Sequence, residues 1–293
     1  MQTQEKPILV FKDGKQVKTP VVWPPKIFKD WTTVLIPNKY PAFLPEPKVR
    51  EIIEGGLYQK VNAVGYHELV ITRDHEKTFA TLPVERVKEV IDVYQRRYLM
   101  LAKEKFVNYV SIFYNHGQQA GASQPHPHSQ LITTPLIDID LKQALNNSEK
   151  YFKAKNKCVY CQMLAWEKKV KQRIVFENKS FLVICPFASK AAFEMIITPK
   201  KHSAYFEKIS EPDKWLLAEA LKTALLKLYK GLGDPAYNFY LHTAPCDGAN
   251  YNYYHWHWTI LPKTKPWAGF EIGTRIEISA IEPEKAAAYL KKQ

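Results

Sequence analysis

The chain has 293 residues, enough to bury sizeable cores in two domains of ordinary size. A hydrophobic content of 46% excludes an extended disordered chain, and no apolar run is long enough to span a bilayer. The net charge of +13 is that of a lysine-rich surface and suits an anionic partner, yet no basic run interleaved with aromatics and no zinc-finger spacing points to nucleic acid, so a small phosphorylated substrate fits equally well. The opening stretch, MQTQEKPILVFKDGK, lacks the basic start, apolar core and cleavage site of a signal peptide, which leads to the expectation of a cytoplasmic protein.

In chain order, the first strong signal is Trp31–Phe43, an apolar β-branched run that meets a proline and reads as a strand entering a turn. Tyr66–His75 reads as a second strand that ends on a histidine. Pro83–Lys105 follows as a helix, with Val84, Val87, Val90, Ile91, Tyr94 and Tyr98 at helical spacing. Phe106–Tyr114 returns to a strand. The loop Asn115–Ser123 then leads into His126-Pro127-His128-Ser129-Gln130. Small residues at Gly117, Gly121, Ala122 and Ser123 let backbone N–H groups approach an anion.

The same order recurs in the second half. Phe181–Ala188 matches Trp31–Phe43, and Phe193–His202 matches Tyr66–His75. Glu211–Lys230 is a helix with Leu217, Ala220, Leu221, Ala224, Leu225 and Leu228 on its apolar face. Tyr237–Leu241 then leads to His255-Trp256-His257. Two repeats of strands, a crossover helix and a final strand pair predict an α+β fold: a tandem of two related domains, each a mainly antiparallel sheet with packed helices. The join falls in the polar stretch Asp138–Asn156, giving domains 1–140 and 141–293.

All nine histidines sit in or near the strand and loop motifs rather than in the helices. Residues two apart on a strand share a face, so His126 and His128 point together if the strand is regular there. A neutral imidazole holds one lone pair for attack and one proton on its other nitrogen. A glycine loop, a histidine nucleophile and the side-chain amide of Gln130 together suit transfer of a phosphoryl-bearing group through a covalent intermediate. The four cysteines are too few for a disulfide scaffold, and the pair Cys158-Val-Tyr-Cys161 points to metal or redox chemistry.

Gly117–Gln130 resembles the active-site segment of the galactose-1-phosphate uridylyltransferases, a branch of the histidine triad superfamily. The resemblance extends along the chain through Pro37–Ala42, Gly65–Glu68, Asp74-His75, Asn115–Gly117 and Ala268–Glu271. It implies two histidine-triad-like domains, the first catalytic and the second structural. It also implies His128 as nucleophile, the main chain of His126 holding the other ring nitrogen, and Gln130 on the transferred phosphoryl group. Asn115, Gly117, Gly121, Ala122 and Ser123 would line the phosphate site, Asn38 and Lys39 would meet ribose or base, and Gly269, Phe270 and Glu271 would contact the sugar, often across a homodimer interface.

The same resemblance joins Cys158 and Cys161 to His202 and His255 as a closed structural zinc set, with no metal needed for the chemistry. An alternative set uses His242, His255 and His257 with a carboxylate, but leaves the cysteines unexplained. The first half has no cysteine. Matching Pro37 to Pro186 sets Leu9 and Lys12 where a metal-binding pair would stand, so only His75 and His126 remain and no metal is expected there. The leading expectation is a UDP-glucose–hexose-1-phosphate uridylyltransferase acting on a nucleoside diphosphate sugar and a sugar phosphate, without nucleic acid or membrane partners. An ADP-sugar or dinucleoside polyphosphate phosphorylase is the second reading. A nucleotide-binding protein without turnover is the third, disfavoured by the intact His126–Gln130 run.

Overall fold

The computed structural model describes residues 6–19, 30–46 and 48–293. Met1–Glu5, part of the stretch used for the leader-peptide expectation, lie outside them. The first half contains β1 (Leu9–Lys12), β2 (Lys15–Val17), β3 (Thr33–Pro37), a hairpin of β4 (Glu51–Glu54) and β5 (Tyr58–Val61), β6 (His67–Thr72), α1 (Val84–Leu101), β7 (Tyr109–His116) and β8 (His128–Thr134). The second contains α2 (Ile139–Lys155), α3 (Val159–Val170), β9 (Ile174–Glu177), β10 (Phe181–Ile184), β11 (Met195–Pro199), α4 (Glu211–Leu232), β12 (Tyr237–His242), β13 (His257–Pro262), α5 (Gly269–Thr274) and α6 (Pro283–Lys291).

Among the described residues eleven strands form one sheet in the order β2-β1-β3-β6-β8-β7-β12-β13-β11-β10-β9. Every described pairing in it is antiparallel. Read outward from the β7–β12 pair the two directions match: β8, β6, β3 and β1 on one side answer β13, β11, β10 and β9 on the other. The tandem repeat is therefore two half-sheets zipped edge to edge into one. Pairing β7 with β12 covers what would be two exposed strand edges.

Helices α1 and α4 pack against one face of this sheet. The predicted stripes are buried there: Val87, Val90, Ile91, Tyr94 and Tyr98 on α1, and Leu217 through Leu228 on α4. They share one core with Ile112 and Leu131 of the first half and Phe239 and Trp258 of the second. Buried charges stitch the helices together. Asp92 of α1 accepts from Lys88 at 2.8 Å and from Lys214 of α4 at 2.6 Å, and Lys88 also reaches Glu211. A buried Arg97–Glu68 fork ties α1 to β6. Removing one partner of such a pair is costly because the other charge stays buried.

Two local features refine these expectations. The polar join is a helix, α2: Asp138 caps it by accepting the Leu141 N–H at 2.8 Å, and Asn156 closes it with φ of 51°. Its polar residues are the solvent face, while Leu141, Leu145 and Ser148 turn inward. Second, β8 starts at His128, so His126 lies ahead of the strand, with its ring turned to Thr72 and His75.

Candidate active site and metal centre

Along β8 the pleat sends Ser129, Leu131 and Thr133 into the core and leaves His128, Gln130 and Ile132 half-buried on the opposite face. The buried Ser129 hydroxyl bonds the Tyr94 hydroxyl of α1, which anchors the strand between the two functional side chains. His128 Nδ1 lies 2.9 Å from the main-chain oxygen of His126. A carbonyl only accepts, so Nδ1 carries the proton and Nε2 keeps its lone pair. His126 itself turns away. Its Nε2–H donates to the Thr72 carbonyl at 2.7 Å and its Nδ1 faces His75 Nδ1 at 2.9 Å. Burial, partly opposed by the Thr72 bond, holds its pKa below the ordinary histidine value.

The glycine loop requires its glycines. A Cβ on Gly117, at φ of 79°, would fall 2.8 Å from the Ala236 Cβ. Gly121, at φ of 84°, ends a short 3-10 turn. Asn115, Gly117, Gly121, Ala122 and Ser123 line one cavity of about 690 Å³ together with His126. A residue of the second half shapes this loop. The Asn238 amide on β12 donates to Asn115 Oδ1 and to the Ala120 carbonyl, each at 2.8 Å. With its oxygen held, Asn115 turns its NH2 end towards Gly121: an added Cβ there would lie 3.9 Å from Asn115 Nδ2.

Gln130 meets His67, whose Nε2 lies 2.8 Å from its Oε1. Asn38 sits beside the same ring, 3.0 Å from Nε2. Lys39 is exposed, its ammonium 5.4 Å from the Tyr40 ring centre. Gly269, Phe270 and Glu271 are not part of this cluster. They open α5, where Glu271 lines a separate cavity of about 790 Å³ with Asp138, Lys190, Trp267 and Arg275. His67 and Asn238 had no role in the sequence reading. Both depend on strand register: His67 on β6 pairs with Ile132, one diagonal step from Gln130, and Asn238 pairs with Asn115.

The second half gathers Cys158, Cys161, His202 and His255, with one ligand atom from each lying within 4.8 Å of the others. Cys161 Sγ is 3.4 Å from His202 Nδ1 and 3.5 Å from His255 Nδ1. Each imidazole donates its Nε2–H away, His202 to the Asn252 carbonyl at 2.6 Å and His255 to the Pro199 carbonyl at 2.9 Å. Both Nδ1 lone pairs therefore face the thiols, as ligands to a cation must. Burial and the adjoining Cys158 push the Cys161 thiol up to about 12, a cost that a bound cation removes. The donor set fits a metal ion.

The alternative set with a carboxylate is not assembled among the described residues. Instead the His257 ring lies tilted against His242 and Tyr160 of α3, with ring centres 4.8 Å and 5.8 Å away. Burial pushes His257 down to about 3 and His242 to about 4. Leu9 and Lys12 lie on β1, which holds the place in the sheet that β9 holds in the second half. The cysteines precede α3, a helix without a described counterpart before β1.

Comparison with known proteins agrees with this geometry. The family described as galactose-1-phosphate uridyl transferase matches through its N-terminal domain at residues 29–137 and its C-terminal domain at 144–273. ADP-glucose phosphorylase of Arabidopsis thaliana is 30% identical, over 90% of this chain and 75% of that protein. Galactose-1-phosphate uridylyltransferase of Thermotoga maritima is 28% identical, over 90% and 85%. Among solved structures, a uridylyltransferase superposes with a TM-score of 0.83 at 26% identity, covering 97% of this chain and 98% of that one. The Arabidopsis ADP-glucose phosphorylase with bound ADP-glucose gives 0.81 at 26% identity, covering 98% and 99%. With both domain models of the family matched in order across the two half-sheets, the chain belongs to the galactose-1-phosphate uridyl transferase family.

Proposed function

We propose that the protein is a nucleotidyltransferase that passes a nucleoside monophosphate through His128, in its leading form a UDP-glucose–hexose-1-phosphate uridylyltransferase. One observation carries the reading: the His126 carbonyl fixes the proton of His128 on Nδ1, so the Nε2 lone pair is presented on the half-buried face of β8. Nε2 attacks the α-phosphorus of the nucleoside diphosphate sugar. The bond from that phosphorus to the bridging oxygen breaks, and its electron pair leaves with the sugar phosphate. The imidazolium that forms keeps its Nδ1–H on the His126 carbonyl. A phosphate oxygen of the acceptor, galactose 1-phosphate, then attacks the same phosphorus and Nε2 regains its lone pair.

Gln130 donates to the transferred phosphoryl group, and Asn115 with the Gly117–Ser123 loop receives the remaining phosphate. Asn38 and Lys39 serve the nucleoside. Gly269–Glu271 serve the sugar, in a homodimer. Residues 1–140 form the catalytic domain and 141–293 the structural one, with zinc on Cys158, Cys161, His202 and His255. The chemistry itself needs no metal, and we place the protein in the cytoplasm. No described helix is long and apolar enough to cross a membrane.

A second reading has a specific observation behind it: the 30% identical relative is an ADP-glucose phosphorylase. In that case the same nucleophile carries adenylate and inorganic phosphate collects it. Intact-protein mass spectrometry after incubation with UDP-glucose, and separately with ADP-glucose, tests both. A uridylyl adduct on the wild type and none on His128→Gly is the expected result. An adenylyl adduct alone moves the assignment to the phosphorylase, and an adduct persisting on His128→Gly rules out the nucleophile.

A further inference from the structure

A glutamine amide has two unlike ends. Its oxygen accepts, its nitrogen donates, and only the nitrogen can meet a phosphoryl oxygen. The end that Gln130 presents is decided on the neighbouring strand. The backbone N–H of Ala42 donates to His67 Nδ1 at 3.1 Å, so that nitrogen holds the lone pair. The neutral ring then carries its proton on Nε2, 2.8 Å from Gln130 Oε1, and His67 is the donor to the glutamine oxygen. The NH2 end of Gln130 is left over, and among the described residues no acceptor engages it.

Asn38 follows the same logic. Its oxygen accepts the Tyr40 N–H at 3.0 Å, so the atom it brings to 3.0 Å from His67 Nε2 is its nitrogen. That contact sets donor beside donor and is not a hydrogen bond. At this point on that face both amides present N–H rather than oxygen. The second half supplies a contrast. At the matching positions Glu194 replaces His67 and Thr259 replaces Gln130, so both members of the pair are absent together. Glu194 instead accepts the backbone N–H of Lys190.

We infer that His67 is a positioning residue. Its Nε2–H locks the Gln130 amide with the NH2 end towards the phosphoryl oxygens during transfer to His128. The inference rests on the nucleotidyl-histidine reading above. Without the lock the amide can turn over and set its oxygen against an anionic oxygen, which misplaces the donor when charge develops.

Two measurements test it. Histidine-selective ¹⁵N NMR on the resting protein at pH 8 is expected to show His67 as the Nε2–H tautomer and His128 as the Nδ1–H tautomer. Single-turnover adduct formation from the active nucleotide sugar is expected to slow by about 10- to 100-fold in His67→Leu. It should stay within about fivefold of wild type in His67→Gln, whose amide nitrogen reaches the place of Nε2. In a Gln130→Ala background His67→Leu is expected to cost no further rate, as only a residue acting through Gln130 would. An Nδ1–H tautomer at His67, or equal losses from His67→Leu with and without Gln130, overturns the inference alone. Absence of any adduct on the wild type overturns the transfer reading and this inference with it.

Discussion

The two halves place the same three histidine positions on the same frame and surround them differently. His75, His126 and His128 of the first half answer His202, His255 and His257 of the second. His126 and His255 each donate Nε2–H to the last carbonyl of the neighbouring strand, Thr72 or Pro199. His128 and His257 each turn Nδ1 to the carbonyl two residues earlier, at 2.9 Å and 3.2 Å. The backbone geometry that holds the proton on Nδ1 is thus present twice. What differs is the surroundings. Two thiols join His202 and His255 in the second half, and Tyr160 lies against His257. In the first half the His75–His126 pair stands without thiols, and His128 lies half-buried beside Gln130 on β8. The comparison teaches that the repeat fixes tautomers, while the flanking residues set what each histidine group can do.

The sharpest way to break this comparison is to remove each nucleophile position in turn. His128→Gly is expected to abolish the adduct and to lower turnover by roughly 10⁴-fold or more, the scale seen when a covalent catalyst loses its nucleophile. His257→Gly is expected to keep adduct formation within about tenfold per folded protein, the modest cost of a packing defect remote from the reacting atoms. Loss of the adduct in a folded His257→Gly protein would mean that the second half takes part in the chemistry.

The next effect concerns the metal. Cys161→Ser is expected to empty the second-half site and to cost more than about 3 kcal/mol, because metal binding is part of the folding free energy there. The unfolding midpoint should fall by roughly 6 °C or more. His75→Ala is expected to leave metal content at one equivalent per chain. Metal should also be released as pH falls, since both thiols and both imidazoles must lose protons to bind it. Two equivalents in the wild type, one of them lost in His75→Ala, would make the halves alike after all.

Much of this was legible before any coordinates. The β-branched runs, the two helical stripes and the repeated His-x-His fixed strand and helix identities, since each is a local pattern with its own period. The four metal ligands were legible through the resemblance that grouped them. Three things were not. The polar stretch at the join hid α2, whose solvent face dominates its composition. The start of β8 at His128 was invisible, so the facing of His126 stayed conditional on a regular strand. The partners of Gln130 and Asn115 depend on register across β6, β8, β7 and β12, and a one-residue slip would exchange every face. No spacing within one strand reports that, so His67 was one of nine histidines without an assigned role and Asn238 was only a residue of the strand Tyr237–Leu241.

Asn238 also yields the smallest and most discriminating prediction. It belongs to the half without the proposed nucleophile, yet its NH2 group bridges Asn115 Oδ1 and the Ala120 carbonyl of the glycine loop. Asn238→Ala leaves two acceptors without their donor and frees Asn115 to turn its oxygen towards the incoming phosphate. Roughly 1–2 kcal/mol of positioning should be lost, about tenfold in the rate of adduct formation, with only a slight change in thermal stability. Asn238→Asp separates this from simple loss of packing. The carboxylate has nearly the same shape, but it cannot donate and it sets a negative charge against two oxygens, so it should be slower than Asn238→Ala. If asparagine, alanine and aspartate at 238 all support adduct formation within twofold of one another, the second half contributes only its sheet edge. If they rank as expected, the division of labour is incomplete, and the non-catalytic repeat holds one wall of the catalytic one.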